Sequence, residues 1–237
     1  MPDPKATPVG ADTEALLARL YRFCFPGGEA TARLVRSVLT VQRGEMRMSP
    51  AARWIPFAAE EFTAATASNF HWDARLDPDK LTAPTVTDAY EKGHGRLVVK
   101  LAGLIPVQKV TGPEADKGEL QRYLSSIMFC PPILLNHPFL LCSAVGPSTL
   151  RLQDQKGPTG AAVDVEIAEN GQPLACRAQR PRMLGKETVL TPWSGQGSEF
   201  RESEGLRVAT RLEVHWHLPG GAFTYYRSDI TKFTAMR

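Results

Sequence analysis

Three side chains of this sequence stand out for proton chemistry: Tyr123, His137 and His217. A tyrosine hydroxyl in an apolar pocket can orient a carbonyl or donate a proton to it. Tyr123 belongs to GELQRYLSSIMF (118–129), where helical spacing places it on one face with Glu119 and Ser126. A core tyrosine bonded to a backbone carbonyl fits the same position. His137, in Asn136-His137-Pro138 beside an apolar run, fits a general base titrating near neutral pH or a loop histidine held by the backbone. His217 closes Glu213-Val214-His215-Trp216-His217, and strand alternation puts Glu213, His215 and His217 on one face. Two imidazoles so spaced could share a metal with His71, His94 or His137. A solvated polar face explains the pattern as well, and no metal or other cofactor is expected. Asp88, Glu45 and Glu60 are candidate acids on strands. Their spacing pairs no two of them, so no carboxylate dyad is expected.

Such groups need a dry place to act. Trp54, Phe70, Trp72, Tyr90, Trp193, Trp216, Tyr225 and Tyr226 fall on predicted strands or at their ends. Flat rings pointing inward from a curved sheet line an apolar cavity, or pack into a filled core. The reading adopted is a cavity with Trp54, Trp72, Tyr90, Trp216 and Tyr225 on its walls. A central helix presents Glu119, Arg122, Ser126, Met128 and Phe129 to the ligand.

The elements that hold these residues are mostly strands. Asp12 can cap a helix over 13–24 that Phe25-Pro26-Gly27-Gly28 ends, and a short helical turn is expected near 29–33. From residue 34 the apolar period changes to that of strands: LVRSVLTVQRGEMRM, RWIPFAAEEFTAAT, FHWDARLD and GRLVVKLAGL. Pro56 predicts an edge or bulge. In AVDVEIAENGQPLACRAQR, Val163, Val165 and Ile167 alternate with Asp164 and Glu166, and Asn170-Gly171 suits a two-residue hairpin turn. Gly205 marks a similar turn in SEFRESEGLRVATRLEVHWHL, and AFTYYRSDITKF is the last strand. One helix starts near Asp116 and ends before Pro131-Pro132, and the apolar run 133–141 is expected to cover one end of the same space. The fold class is therefore mainly β (α+β): one strongly curved antiparallel sheet, half-barrel or barrel-like, of about nine to eleven strands wrapped around one or two helices. Residues 1–11 read as a mobile tail and 12–237 as a single domain.

Composition excludes several classes. With 28 basic and 25 acidic residues the net charge is only +3, and no basic stripe suits a nucleic-acid backbone. No apolar stretch is long enough to span a bilayer as a helix. The N-terminus has no basic start followed by an apolar core, which predicts a cytoplasmic protein. Cys24, Cys130, Cys142 and Cys176 are scattered without a CxxC pair, as buried thiols are. No GxxxxGK[ST], dinucleotide fingerprint or GxSxG elbow occurs; Gly93-His94-Gly95 reads as a hairpin turn.

Several phrases in order, VQRGEMRM, RWIPFAAEEF, FHWDARL, DAYEKGHGRL, GLIPV, GELQRYLSSIMFCPPILL, TPWSGQGSEFRESEGLRVATR and VHWHLPGGAFTYYR, resemble a widespread bacterial family of unknown function from about residue 15 to the C-terminus. More remotely, a long β meander, a Phe-x-Trp strand and an intervening helix are similar to the LolA-like, lipoprotein-carrier-like fold. There a curved sheet wraps helices and its concavity holds an acyl chain or other apolar group. The family pattern implies an acidic residue where this chain has Ser126, so proton transfer by that carboxylate is missing here or falls to another group.

The expected function is binding of an apolar small molecule in an aromatic-lined cavity. A cofactor-free enzyme of secondary metabolism would cyclise or isomerise a lipophilic polyketide- or terpenoid-like substrate by holding it close and dry. The alternative is a non-catalytic carrier of a lipid or other hydrophobic ligand. A monomer or homodimer serves either reading.

Overall fold

The computed structural model describes residues 10–185 and 187–237. Among these residues, six strands precede the central helix: β1 (Ser37–Met46), β2 (Ile55–Ala64), β3 (Phe70–Leu76), β4 (Thr85–Glu91), β5 (His94–Leu101) and β6 (Ile105–Thr111). Seven follow it: β7 (Leu140–Gly146), β8 (Thr149–Asp154), β9 (Ala162–Ile167), β10 (Pro173–Leu184), β11 (Glu187–Ser203), β12 (Leu206–Leu218) and β13 (Gly221–Met236). All thirteen form one antiparallel sheet in the order β6-β5-β4-β3-β2-β1-β13-β12-β11-β10-β9-β8-β7. Two meanders thus run side by side, joined at the centre where the first strand pairs the last over Ser37–Met236 to Met46–Tyr226.

That order dictates what lies between the meanders. The first ends at one edge, β6, and the second begins at the other, β7, and the two edges are not paired. The chain must therefore cross the whole sheet. It does so as α3 (Pro113–Ser125), a 3-10 turn over Ser126–Met128, and α4 (Ile133–Asn136). A helical crossing satisfies its own backbone hydrogen bonds, so it can run through the interior where an extended segment would leave them unmade. In a flat sheet β5, second in the order, and β10, tenth, would lie roughly 38 Å apart at ~4.8 Å per strand. Yet α3 packs against both of them, and against β4, β6 and β9. The sheet must curl around the helix for one cylinder to touch all five.

Local sequence explains most elements. In β9, Val163, Val165 and Ile167 are buried while Arg151 of β8 reaches across to Asp164 on the outer face, at 2.7 and 2.8 Å. In α1 (Ala11–Cys24), Leu16, Leu20 and Phe23 form the buried stripe. Gly10 rather than Asp12 occupies its N-cap, with no side-chain cap bond; Asp12 lies in the first turn, where a negative charge suits the helix dipole. The tail expected over 1–11 lies outside the described residues up to residue 9. The turn near 29–33 is α2 (Glu29–Arg33). No helix among the described residues is long and apolar enough to cross a membrane.

Four expectations are corrected. There are thirteen strands: beyond the expected hairpin turn, which falls at Lys92-Gly93, a further turn with positive φ at Ala102-Gly103 separates β5 from β6. The apolar run 133–141 is no cover: its last residues enter edge strand β7, and none of it borders the cavity described below. Pro56 sits in an inner strand without a bulge. It pairs Glu45 of β1, while the β3 ladder begins one residue later at Phe57–Leu76, so no N–H is needed on that side. The Asn170-Gly171 connection is wider than two residues: Ala168 donates to the Gln172 carbonyl (2.9 Å), and Gly171 alone takes positive φ. A two-residue turn does occur at Glu204-Gly205, between the paired Ser203 and Leu206.

Gly95 seats the crossing helix. A Cβ there would stand 2.3 Å from the Ala115 carbonyl oxygen of α3, and the Gly95 N–H donates to Asp116 Oδ1 at 2.7 Å. Gly95→Ala forces backbone away from backbone. It should destabilise the protein by about 1–3 kcal/mol in urea unfolding; an unchanged midpoint would show that α3 is not held this closely.

Candidate functional site

The crossing leaves space beside α3. A cavity of about 440 Å³ opens between the helix and the inner faces of strands from both meanders. Its apolar wall includes Met46, Trp72, Val86, Leu97, Met128, Phe129, Trp193, Val214, Trp216, Phe223, Tyr225 and Tyr226. Ala115, Glu119, Arg122 and Ser126 come to it from α3 and the turn after it. These four residues recur every three or four positions and so share a face at about 100° per residue.

The polar side of the cavity is a buried charge cluster. Arg122 pairs with Asp88 of β4 and lies 3.5 Å from Glu61 of β2. Its guanidinium also lies 4.7 Å from the Phe70 ring centre and 5.1 Å from that of Trp72, where aromatic faces receive a cation. Arg180 of β10 donates to the Gly118 carbonyl at 2.7 Å, lies 3.6 Å from Glu119, and sits 4.8 Å from the Trp193 ring centre. Arg122 thus ties α3 to β2 and β4 in one half of the sheet, and Arg180 ties it to β10 in the other. Against the burial that disfavours its charge, Asp88, Glu61 and Glu119 hold Arg122 protonated.

Behind Glu61 stands a fully buried glutamine with all four side-chain bonds made. Gln42 Nε2 donates to Thr40 Oγ1 (3.0 Å) and Glu61 Oε2 (2.8 Å). Its Oε1 accepts from Trp72 Nε1 (3.2 Å) and the Tyr226 hydroxyl (2.7 Å). On the other wall Trp193 Nε1 donates to the Tyr225 hydroxyl at 3.0 Å. Both tyrosines thus have fixed orientations.

Glu119 is the unusual member. Burial, and then the neighbouring Asp88 carboxylate, push its carboxyl up to about 8. Glu119 Oε2 and Asp88 Oδ1 are buried without a hydrogen-bond partner. A proton on Glu119, shared with Asp88, gives both oxygens a partner, as in other carboxyl pairs that cannot ionise together. Burial also raises the Glu61 carboxyl, opposed by Arg122 and Gln42.

Eight of the ten residues assigned to ligand contact from sequence border the cavity: Trp72, Glu119, Arg122, Ser126, Met128, Phe129, Trp216 and Tyr225. Two do not. Trp54 lies outside it, near the guanidiniums of Arg47 and Arg227 at 4.5 and 4.4 Å, and Tyr90 is buried in the general core. The three proton-transfer candidates also fall elsewhere. Tyr123 is turned about 100° around the helix from Arg122, and its hydroxyl donates to the Ala64 carbonyl at 3.0 Å. His217 bonds Ser194 Oγ at 2.8 Å and does not border the cavity. His137 meets Ser68 and Asp154, a set that suggests acyl transfer until the protons are placed. Its Nδ1 accepts from the Phe139 N–H (3.2 Å), so Nε2 carries the hydrogen and donates to Ser68 Oγ (3.0 Å). Ser68 in turn donates to Asp154 (2.6 Å), leaving no base to activate its oxygen. Burial also holds His137 below its ordinary pKa. This chain of bonds ties the crossing segment to the β2–β3 connection and to β8. His215 bonds Thr224 at 2.8 Å, and no group of three metal-ligating side chains exists among the described residues.

Sequence reasoning missed Gln42, Glu61 and Arg180, and named Asp88 without its partner. The signal was strand phase. Glu61 occupies the inward position of Phe57, Ala59, Glu61 and Thr63, and Asp88 that of Val86, Asp88 and Tyr90. Glu60, the acid chosen instead, is exposed.

The curled, open sheet crossed by a helix defines a LolA-like fold. Over 96% of this chain and 95% of the other, it is similar to a crystal structure of a LolA superfamily protein from Nitrosomonas europaea, with TM-score 0.51 and 10% identity. A DUF1329 family protein from Desulfovibrio piger is similar over 95% of this chain and 94% of that one, with TM-score 0.55 and 10% identity. The chain itself belongs to the family of unknown function DUF6920, matched over residues 15–234, in agreement with the resemblance in its phrases. No curated protein matches it.

The raised Glu119 carboxyl links stability to pH. A folded-state pKa above the unfolded one means that the folded protein holds the proton longer, so the contribution of Glu119 is largest below about pH 4.5 and is lost as pH rises toward about 8. The stability of the native sequence minus that of Glu119→Gln should fall between pH 5 and 8 by up to about 1.4 kcal/mol per pH unit, then level off. Denaturant titrations at several pH values measure this; a flat difference would remove the shared proton.

Proposed function

We propose that the protein binds an apolar small molecule in this cavity and holds it without changing it. The observation that carries the reading is the cavity itself. Its volume of about 440 Å³ lies within the range of ligand pockets, roughly 300–1,000 Å³. Rings and methionines line it, and the ordered network behind Trp72 and Tyr226 keeps them from collapsing inward. The resemblance to LolA-like folds, whose concavity holds an acyl chain or other apolar group, supports the same reading.

One observation favours a second reading, cofactor-free cyclisation or isomerisation of a lipophilic substrate. Glu119 and Asp88 form a carboxyl pair able to give and take a proton in a largely apolar site. Tyr123, His137 and His217 have no part in that version, because none of them borders the cavity.

Binding is tested with N-phenyl-1-naphthylamine, an uncharged dye that brightens in apolar surroundings. Val214→Trp places an indole in the empty volume and should weaken dye binding at least about tenfold while the protein stays folded by circular dichroism. Tyr123→Phe should bind as the native protein does, since its hydroxyl faces Ala64. Equal dye binding by Val214→Trp would defeat the reading. Mass spectrometry of co-purified material separates the two versions. A molecule recovered unchanged after incubation favours binding; an isomerised or cyclised product, lost in Glu119→Gln, favours catalysis.

A further inference from the structure

The charge count of the cavity is uneven. Its inner cluster holds two guanidiniums, Arg122 and Arg180, against three carboxyls, Glu61, Asp88 and Glu119. Arg47 and Arg182, which also line the space, are matched in number by Glu114 and Glu213. Among the described residues lining the space, the acids thus exceed the bases by one. Burying a net charge in an apolar site is costly, so the deficit of one positive charge has to be met. In the empty protein a proton on Glu119 meets it, beside Asp88; Glu119 Oε2 and Asp88 Oδ1 are both buried without another partner.

We propose that the ligand meets the deficit instead: the cavity takes a cationic amphiphile, an apolar body carrying one protonated amine, with the ammonium group between Glu119 and Asp88. This rests on the reading of the cavity as an apolar-ligand site. An alkylammonium brings three N–H donors and one positive charge. Two donors serve Glu119 Oε2 and Asp88 Oδ1, both buried and unpartnered. The charge balances three ionised carboxylates against two guanidiniums and one ammonium. The Trp216, Phe223 and Tyr225 rings, which lie near one another along the wall, receive the hydrocarbon. A carboxylate ligand fits worse, because beside a neutral Glu119 it would add an uncompensated negative charge.

Loading then displaces one proton. It leaves the Glu119 carboxyl for solvent as the ammonium enters, and no covalent bond changes. The groups facing Glu119 are Asp88 from β4, Arg180 from β10, Tyr225 from β13 and Arg122 from its own helix, while Glu61 from β2 faces Arg122 and Asp88. The arginines keep their charge across the working range, so the carboxyls set the pH dependence.

The test compares decylamine, decanol and decanoate by titration calorimetry at pH 7, in two buffers of different ionisation enthalpy. Decylamine should bind at least about tenfold tighter than either other probe and release close to one proton. Its affinity should rise from pH 6 to pH 8. In Glu119→Gln decylamine should bind no tighter than decanol does to the same variant, with no proton released. The inference is overturned if decanol or decanoate binds the native protein as tightly as decylamine, or if decylamine binds without proton release. Those outcomes leave the apolar cavity standing. If no probe binds, and the naphthylamine dye does not bind either, the cavity reading falls and the inference with it.

Discussion

The chain ends one meander at the edge of its sheet farthest from where the next begins. Every other feature follows from closing that distance through the interior. A helix is the element able to do this, because it carries its hydrogen bonds with it. Once α3 lies across the sheet, thirteen strands can bury their inner face only by curling around it. A single helix does not fill a curve of that width, and the remainder is the cavity.

Holding the helix in place with charge is an expensive solution. Five ionisable side chains, Glu61, Asp88, Glu119, Arg122 and Arg180, leave water where apolar residues would pack more favourably. What the cluster adds is position. Arg122 reaches β2 and β4 while Arg180 comes from β10, so the pair fixes the helix relative to both meanders at once. Gln42, with four bonds made, sets the orientation of Glu61, Trp72 and Tyr226. A polar interior connected to this degree has little freedom to rearrange. It leaves one donor, Arg180 Nε, without a partner beside the cavity.

The likeness to LolA-superfamily and DUF1329 structures holds at 10% identity over nearly the whole chain. What persists at that distance is the architecture of a curled sheet and a crossing helix. The likeness reaches the fold and not the residues that fill the concavity, where this chain has Ser126 at the position for which the family resemblance implied an acid. Here the raised carboxyl sits two helical turns earlier, at Glu119.

The sequence by itself determined the local elements and their faces. Alternation in β9, the stripe of α1 and the glycine turns at Lys92-Gly93 and Glu204-Gly205 depend on neighbours a few residues apart, and these were legible. So was most of the wall of the cavity, because inward rings announce themselves by phase. Tertiary structure alone decided which inward polar groups meet. Asp88, Glu119 and Arg180 belong to β4, α3 and β10, and they come together because the sheet curls. It also decided that Tyr123 turns toward Ala64 and that Ser68, His137 and Asp154 bond in an order without nucleophilic use. Periodicity is a property of adjacent residues; the curl is a property of thirteen strands closing on one helix, and no short window of sequence contains it.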